Sequence, residues 1–411
     1  MSADPPSPRG DAVYLDHAAA TPMRSEVAAA MQEAADTLFA NPSSPHAAGR
    51  RARAGLEDAR ERLLAALGGT TSGPERDRLV FTSGATEANR LGIVGTAAGT
   101  AGGVAWSARD HSSVAAAACH LVGVGWKATT LELDHLGSVA RAAGRFVESL
   151  PAAGRGLLCV TPVCGQTGIR DHLEQLPDWM AKRPELLVHA DATQAVAWDE
   201  IVIRDLAATT IAFAPHKFGG PRGIGGLVVR GGAALEPLLP GPQELGLRGG
   251  TEPVVLAVGF ARAVELAVAE RVETARRVAR LRDLFEARLA TAAGAAGLEL
   301  CVVGATSDRA AHISTVAIAG CDRQMVVMAA DLAGVCLATG TACASGSSEP
   351  SPAIAALGVP AWIPHTAVRV SFGKNTSETD VLVATERLVG AFRGIAAGHP
   401  QSRGPGEMPP A

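Results

Sequence analysis

Between residues 78 and 230 the chain sets down seven short apolar runs: Arg78–Thr82, Gly103–Trp106, Thr129–Glu132, Leu157–Thr161, Leu186–Asp191, Thr209–Phe213 and Gly226–Arg230. Most are separated by stretches long enough for a crossover helix. Strands apolar on both faces and alternating with helices predict an α/β layer around a mainly parallel sheet. The last two runs are joined by one turn around Lys217, which leaves that pair free to run antiparallel. Upstream, helical periodicity covers Glu26–Leu38 and Ala47–Leu67, with the loop Asn41-Pro-Ser-Ser-Pro-His46 between them. Before these, Val13–Pro22 reads as a short extended piece ended by proline.

Beyond the seventh run, a long helical pattern from Val254 to about Ala293 leads to a second region. There the pattern predicts strands at Leu298–Val303, Thr315–Ala319, Val335–Leu337 and Ala367–Ser371, and helices at Met325–Ala333 and Ser377–Arg393. Alternation of this kind predicts a smaller α+β layer. The expected division is a large domain over 26–265 and a small one made of 12–25 with 266–398. The ends, 1–11 and 399–411, are rich in Pro, Gly and Ser and read as disordered tails. No internal repeat is present.

Composition narrows the function classes. In 411 residues, 47% are hydrophobic and the net charge is −4, which excludes the basic bias of a nucleic-acid binder and the charge excess of a disordered chain. No apolar stretch reaches membrane-spanning length, and the first ten residues hold no signal-peptide core, so a cytoplasmic protein away from membranes is expected. Seven scattered cysteines without a Cys-x-x-Cys pair suit free thiols better than disulfides or a zinc site, so no metal is expected.

In an α/β sheet, ligands collect beyond the carboxyl ends of the strands. Lys217, in Ala214-Pro-His-Lys217-Phe-Gly-Gly, follows one such run. Partial burial would lower its pKa toward the free base that attacks carbonyls; a solvated lysine in a turn is the plainer alternative. Thr82-Ser-Gly-Ala-Thr-Glu87 leads from strand to helix with small residues, an anion site at Ala85 and Thr86 or an ordinary N-cap at Ser83 or Thr86. Asp191 closes the run in His189-Ala-Asp191-Ala-Thr-Gln194 and needs a cationic partner, as a protonated pyridine nitrogen would be, or serves as a helix cap. His111 follows another run and could lie flat on a ring, a role for which the single tyrosine of the chain leaves few rivals. The coincidence of amine, acid, anion nest and imidazole is far more specific than any one of them.

In the second region, Ala338-Thr-Gly-Thr-Ala-Cys343-Ala-Ser-Gly-Ser-Ser-Glu349-Pro-Ser-Pro352 holds almost only small and turn-forming residues. It reads as a flexible loop with an exposed Cys343, unlike Cys159, Cys301 and Cys336, whose neighbours are apolar. A thiol on such a loop suits attack in one place and delivery in another; a linker with an incidental cysteine is the alternative. Arg369, on a strand, could grip a carboxylate with two parallel hydrogen bonds, or make a surface ion pair.

From Tyr14 to Leu388 the sequence resembles the pyridoxal-phosphate-dependent cysteine desulfurases of the class V aminotransferase group. The resemblance is carried by Tyr14-Leu-Asp-His-Ala-Ala-Ala-Thr-Pro22, Asn41-Pro-Ser-Ser44, Thr82-Ser-Gly-Ala-Thr-Glu-Ala-Asn89, Asp191-Ala-Thr-Gln194, His216-Lys217, Gly246-Leu-Arg-Gly-Gly-Thr-Glu252 and the Cys343 loop, which is similar to the longer-loop type. It implies an α/β protein of the PLP fold-type I, with a seven-stranded mostly parallel sheet domain and a smaller α+β C-terminal domain, assembled as a homodimer. Lys217 would hold pyridoxal 5'-phosphate as a Schiff base, Asp191 would pair with its ring nitrogen and Gln194 with its phenolic oxygen. His111 would stack on the ring and take part in catalysis. Ala85, Thr86, His216 and, from a second subunit, Thr251 would hold the phosphate. Arg369 and Asn41 would bind L-cysteine, and Cys343 would take its sulfur as a persulfide for a sulfur-acceptor protein, leaving L-alanine.

The chain departs from that pattern at Gly165, where the family has an amide, at Ala214, where it has a serine, and at Leu245 and Gly249, where arginine and serine are common. Each lost hydrogen bond to a charged group would cost ~1.5–3 kcal/mol, which Gln166 or a water could offset. Cys164 would lie near the cofactor as a spectator. Two other readings compete: a related C–S or selenocysteine lyase that uses no persulfide, and a non-catalytic sulfur carrier or scaffold that binds no cofactor.

Overall fold

The computed structural model describes residues 12–74, 76–97, 99, 101–152, 154–199, 203, 205–340 and 349–398. The strands are β1 (Val13–Tyr14), β2 (Arg78–Thr82), β3 (Gly103–Ser107), β4 (Lys127–Leu131), β5 (Gly156–Val160), β6 (Leu186–Asp191), β7 (Thr210–Phe213), β8 (Gly225–Val229), β9 (Leu300–Val302), β10 (Ile313–Ile318), β11 (Val335–Cys336) and β12 (Ala367–Ser371). The helices are α1 (Ser25–Thr37), α2 (Ala47–Ala66), α3 (Ala85–Arg90), α4 (Ser112–Gly123), α5 (Ala140–Ser149), α6 (Leu176–Lys182), α7 (Val254–Ala295), α8 (Arg323–Leu332), α9 (Pro352–Ala355), α10 (Ile363–Thr366) and α11 (Glu378–Gly398). The two tails expected to be disordered lie outside the described residues.

The seven predicted runs form one sheet in the order β2-β8-β7-β6-β5-β3-β4. From β7 through β4 all neighbours are parallel, while β8 runs antiparallel to both β7 and β2. The lysine turn therefore does join an antiparallel pair. Two reversals bring β2 back to the direction of β7, so β2, β3, β6 and β7 all end on one edge of the sheet. Strands β5, β7 and β8 are buried at every position, which is why they read as continuous apolar runs. Edge strand β4 begins at Lys127, two residues before the apolar pattern announced it, because its exposed positions Lys127, Ala128 and Thr130 hide the start.

Beyond the large sheet, β10 pairs antiparallel with β12 and β9, and β1 pairs parallel with β11. The N-terminal segment thus joins the C-terminal half. Among the described residues, the two largest of five apolar clusters divide between these halves. One packs Leu56, Leu63, Phe81, Phe213 and Phe260 against the seven-stranded sheet; the other gathers Leu15, Phe285, Leu289, Phe372 and Phe392 around the small sheets. The 42-residue α7 serves both, with Phe260 and Val264 in the first and Val278, Phe285 and Leu289 in the second.

Candidate active site

Four strand ends deliver the sequence-predicted groups to one sheet edge. After β7, a 3-10 turn over Pro215–Lys217 carries the lysine, half-buried. Its Nζ donates to the carbonyl oxygens of Ala18 at 2.9 Å and Ala19 at 3.0 Å. His216 beside it is held neutral at ordinary pH: burial, then the charges of Lys217 and Arg222, push its titration down to about 4. Asp191, at the end of β6, is buried and accepts from two neutral donors, Asn89 Nδ2 at 2.9 Å and the Thr193 N–H at 3.0 Å. The second of these is the local cap anticipated as an alternative, so the carboxylate caps the turn with one oxygen and meets Asn89 with the other.

Gln194 lies on the turn that follows. Its Nε2 donates to the Ala18 carbonyl at 2.8 Å, the same oxygen that accepts from Lys217. Amine and amide are therefore adjacent. Its Oε1 lies 3.1 Å from His312 Nε2. His111 opens α4 as its N-cap, exposed, with Nδ1 accepting from the Ser113 N–H at 3.2 Å and 2.7 Å from the Ser113 hydroxyl. That hydroxyl also accepts from Asn89 Nδ2 at 2.9 Å. Asn89, wholly buried, completes its bonding with His189 Nε2 at 3.0 Å from its Oδ1. One amide thus ties His189, Asp191, Ser113 and, through Ser113, His111. Burial pushes His189 down to about 4 against the pull of Asp191, so its Nε2 serves as a neutral donor. Asn89 and His312 were missed as site residues; Asn89 was quoted within a motif, but its partners lie far off in sequence.

The turn from β2 into α3 is shaped by backbone contact. Gly225, at the start of β8, packs so closely that a Cβ there would sit 2.4 Å from the Gly84 carbonyl carbon and 2.8 Å from the Ala85 nitrogen. Neither Ser83 nor Thr86 caps α3, whose N-cap is Gly84. The Ser83 N–H donates instead to Glu87 at 2.7 Å. Burial pushes Glu87 up, but the bonds from Ser83 and Arg248 outweigh it and hold the carboxyl below its ordinary range. Ala85 is half-buried, and Thr86 is exposed.

Arg369, buried on β12, donates from Nη1 to the Gly165 and Gly340 carbonyls at 2.9 and 2.8 Å and from Nη2 to Asp16 at 2.8 Å, while its Nε has no partner. Cys343 lies outside the described residues, but both flanks of its loop are fastened here. Gly340 is held by Arg369, and the Ser351 hydroxyl donates to Gln166 Oε1. Gln166 is thus engaged with Ser351 through its Oε1. A Cβ on Gly165 would lie 3.3 Å from Gln194 Cγ. Cys164 is buried, its Sγ 3.5 Å from the Arg109 carbonyl oxygen. Cys159 is buried as its apolar neighbours suggest, whereas Cys301 and Cys336 are only partly so.

Asn41 and Thr251 stand exposed, apart from this network. The Asn41 side-chain oxygen is used by its own loop, accepting the Ser43 N–H at 2.8 Å. Before Thr251 comes a strained turn in which Glu244 (φ 47°), Leu245 (φ 61°) and Gly246 (φ 82°) are left-handed in succession. The buried Glu244 carboxylate takes two bonds from Arg60, both 2.9 Å, and one from the Phe81 N–H at 2.7 Å, which pins the turn. Gly249 replaces the expected serine for a spatial reason. A Cβ there would meet the Pro240 carbonyl oxygen at 2.7 Å and Gly241 Cα at 3.1 Å.

The family model described as Aminotransferase class-V matches residues 13–383. Cysteine desulfurase IscS of Dictyoglomus turgidum is 32% identical, covering 93% of this chain and 96% of that protein. Human selenocysteine lyase is 30% identical over 92% of this chain and 91% of its own. Among solved structures, a NifS-like protein superposes with a TM-score of 0.83 at 25% identity, covering 93% of this chain and 99% of the other. The chain belongs to the class V aminotransferases, a pyridoxal-phosphate-dependent family, in its cysteine desulfurase group.

Proposed function

We propose that the protein converts L-cysteine to L-alanine and passes the sulfur through a Cys343 persulfide to an acceptor protein. The observation that carries this is the meeting of the Lys217 amine and the Gln194 amide on the Ala18 carbonyl, on the sheet edge where Asp191 ends its strand. The donor set suits pyridoxal phosphate: an amine for the aldehyde, a buried carboxylate bonded by neutral donors for the ring nitrogen, and an exposed imidazole for the ring face. Thr86, Ala85 and His216, with Thr251 of a second copy, would hold the phosphate, and a homodimer in the cytoplasm is part of the same reading. The domain division at 26–265 against 12–25 with 266–398 is likewise proposed, supported by the two cores.

When bound, the cofactor supplies an electron sink. The chain supplies the rest. Lys217 Nζ takes the proton from the substrate α-carbon, and Arg369 receives the substrate carboxylate, exchanging its bond to Asp16 for it. Asn41 is offered as a second substrate contact. His111, with Nδ1 committed to Ser113, presents Nε2 for proton exchange. The Cys343 thiolate attacks the substrate sulfur; the S–S bond forms as the C–S bond breaks, and the carbon is protonated to alanine.

The test is the visible spectrum of the purified protein, followed by alanine and persulfide assays with L-cysteine. A yellow protein whose turnover vanishes in Cys343→Ala supports the reading. Continued sulfide release by the variant favours a lyase, the second reading that the likeness to selenocysteine lyase supports. A protein that stays colourless with added cofactor sinks both.

A further inference from the structure

His312 immediately precedes β10 in the small-sheet half of the molecule, yet its side chain ends against Gln194, on the turn that follows β6 of the large sheet. It is 1% exposed and stacks on Trp198 with ring centres 4.3 Å apart and planes 6° from parallel. Of its two nitrogens, Nε2 meets Gln194 Oε1 at 3.1 Å, and Nδ1 is buried without a partner. A buried imidazole nitrogen left unpaired in this way calls for an explanation.

The bonding pattern supplies one. The Ala18 oxygen can only accept, so the group of Gln194 facing it must be the NH2. The amide oxygen then faces His312, and only an N–H on Nε2 can satisfy it. A neutral imidazole has one N–H, so Nδ1 keeps a lone pair and is the nitrogen without a partner. The other tautomer would set a lone pair against Oε1 and bury an orphan N–H, which is worse on both counts. A protonated ring is also opposed: burial pushes its titration well below the ordinary value, and the charges of Arg369, Arg170, His17 and Arg282 push the same way.

We propose that His312 is a positioning residue that holds the Gln194 amide with its NH2 turned toward Lys217, ready to donate to an acceptor oxygen of the ligand that Lys217 binds. The proposal rests on the cofactor reading above for the identity of that ligand. It also gives the bare Gly165 a context. With no side chain at 165 to share the task, the Gln194 amide is held from behind, by a residue of the other half of the molecule.

Two measurements test this. In cofactor-free protein labelled with 15N-histidine, the His312 signals should report a neutral ring protonated on Nε2 at pH 7; an Nδ1–H ring or an imidazolium overturns the proposal. In titrations with pyridoxal 5'-phosphate, His312→Phe keeps a flat ring against Trp198 but removes the donor. It should weaken binding about 5- to 10-fold, the scale of one lost hydrogen bond. His312→Gln, which restores an N–H, should recover most of that loss. In a Gln194→Ala background His312→Phe should have no further effect. Unchanged affinity in His312→Phe, or an effect that persists undiminished without Gln194, overturns the proposal. A wild-type protein that takes up no pyridoxal phosphate overturns the functional reading and the ligand half of this one. The tautomer then still decides the hydrogen bond.

Discussion

Glu244 joins two expensive features, a left-handed backbone and a carboxylate buried beneath the sheet edge. Each non-glycine residue in that region costs about 1–3 kcal/mol, so the turn persists only because Arg60 and the Phe81 N–H over-determine it. Arg60→Met should therefore destabilise the fold by about 3–5 kcal/mol, since it strands a buried charge. Urea unfolding measures this, and adding Glu244→Gln should return part of the loss. At this scale Lys217, Asp191 and His111 were visible because a polar residue at or just past the end of an apolar run stands out locally, and Arg369 because it interrupts one. Asn89, His312 and the Arg60–Glu244 pair were not visible. Their meaning lies in partners 102, 118 and 184 residues away, and nothing in spacing records such a meeting.

Among the elements, the β2–α3 turn depends on β8, whose Gly225 pairs with Thr82 at the end of β2 and packs against the turn. Gly225→Ala would drive a methyl into the Gly84–Ala85 backbone, and backbone, unlike a side-chain end, has nowhere to go. The expected outcome is a destabilisation of about 1–3 kcal/mol from overpacking, with a loss of cofactor affinity, since the turn must open to admit the methyl. Thermal unfolding and cofactor titration separate the two effects. Elements were the most legible level: Arg78–Thr82, Leu186–Asp191 and Ala367–Ser371 are found with the predicted limits. Each is buried at every position or all but one, and is built around a short apolar stretch. What escaped was the π-helical turn Leu91–Gly95 that follows α3, where Gly92 lies so near His189 that a Cβ would be 2.5 Å from its Nδ1. A glycine there reads as a mere weakness in a helix until its neighbour is known.

For the whole molecule, buried histidines set the response to acid. His17 and His189 both titrate near 4 in the folded protein, held down chiefly by burial, against an ordinary 6.5. The unfolded chain thus binds more protons between those values, and stability falls as pH drops from 6.5 toward 4. His216 and His312 act in the same direction. Asp110 opposes them: burial lifts its carboxyl from 3.8 to about 6, so the folded state gains its proton first. The histidines outnumber it. Cofactor-free protein should lose roughly 1.4 kcal/mol per pH unit or more between pH 6 and 4.5, and urea midpoints across that range check the sign.

The two-core plan has a further consequence through α7. At about 1.5 Å per residue the helix is a rod roughly 63 Å long, and the proposed boundary at 265/266 falls inside it. A cut there would leave Phe260 and Val264 on one fragment and Phe285 and Leu289 on the other, each with only part of the helix and an uncapped cut end. The two halves of this protein are therefore not interchangeable modules. Recombining either with its counterpart from a relative requires the whole rod to travel with one partner and to be repacked against the other.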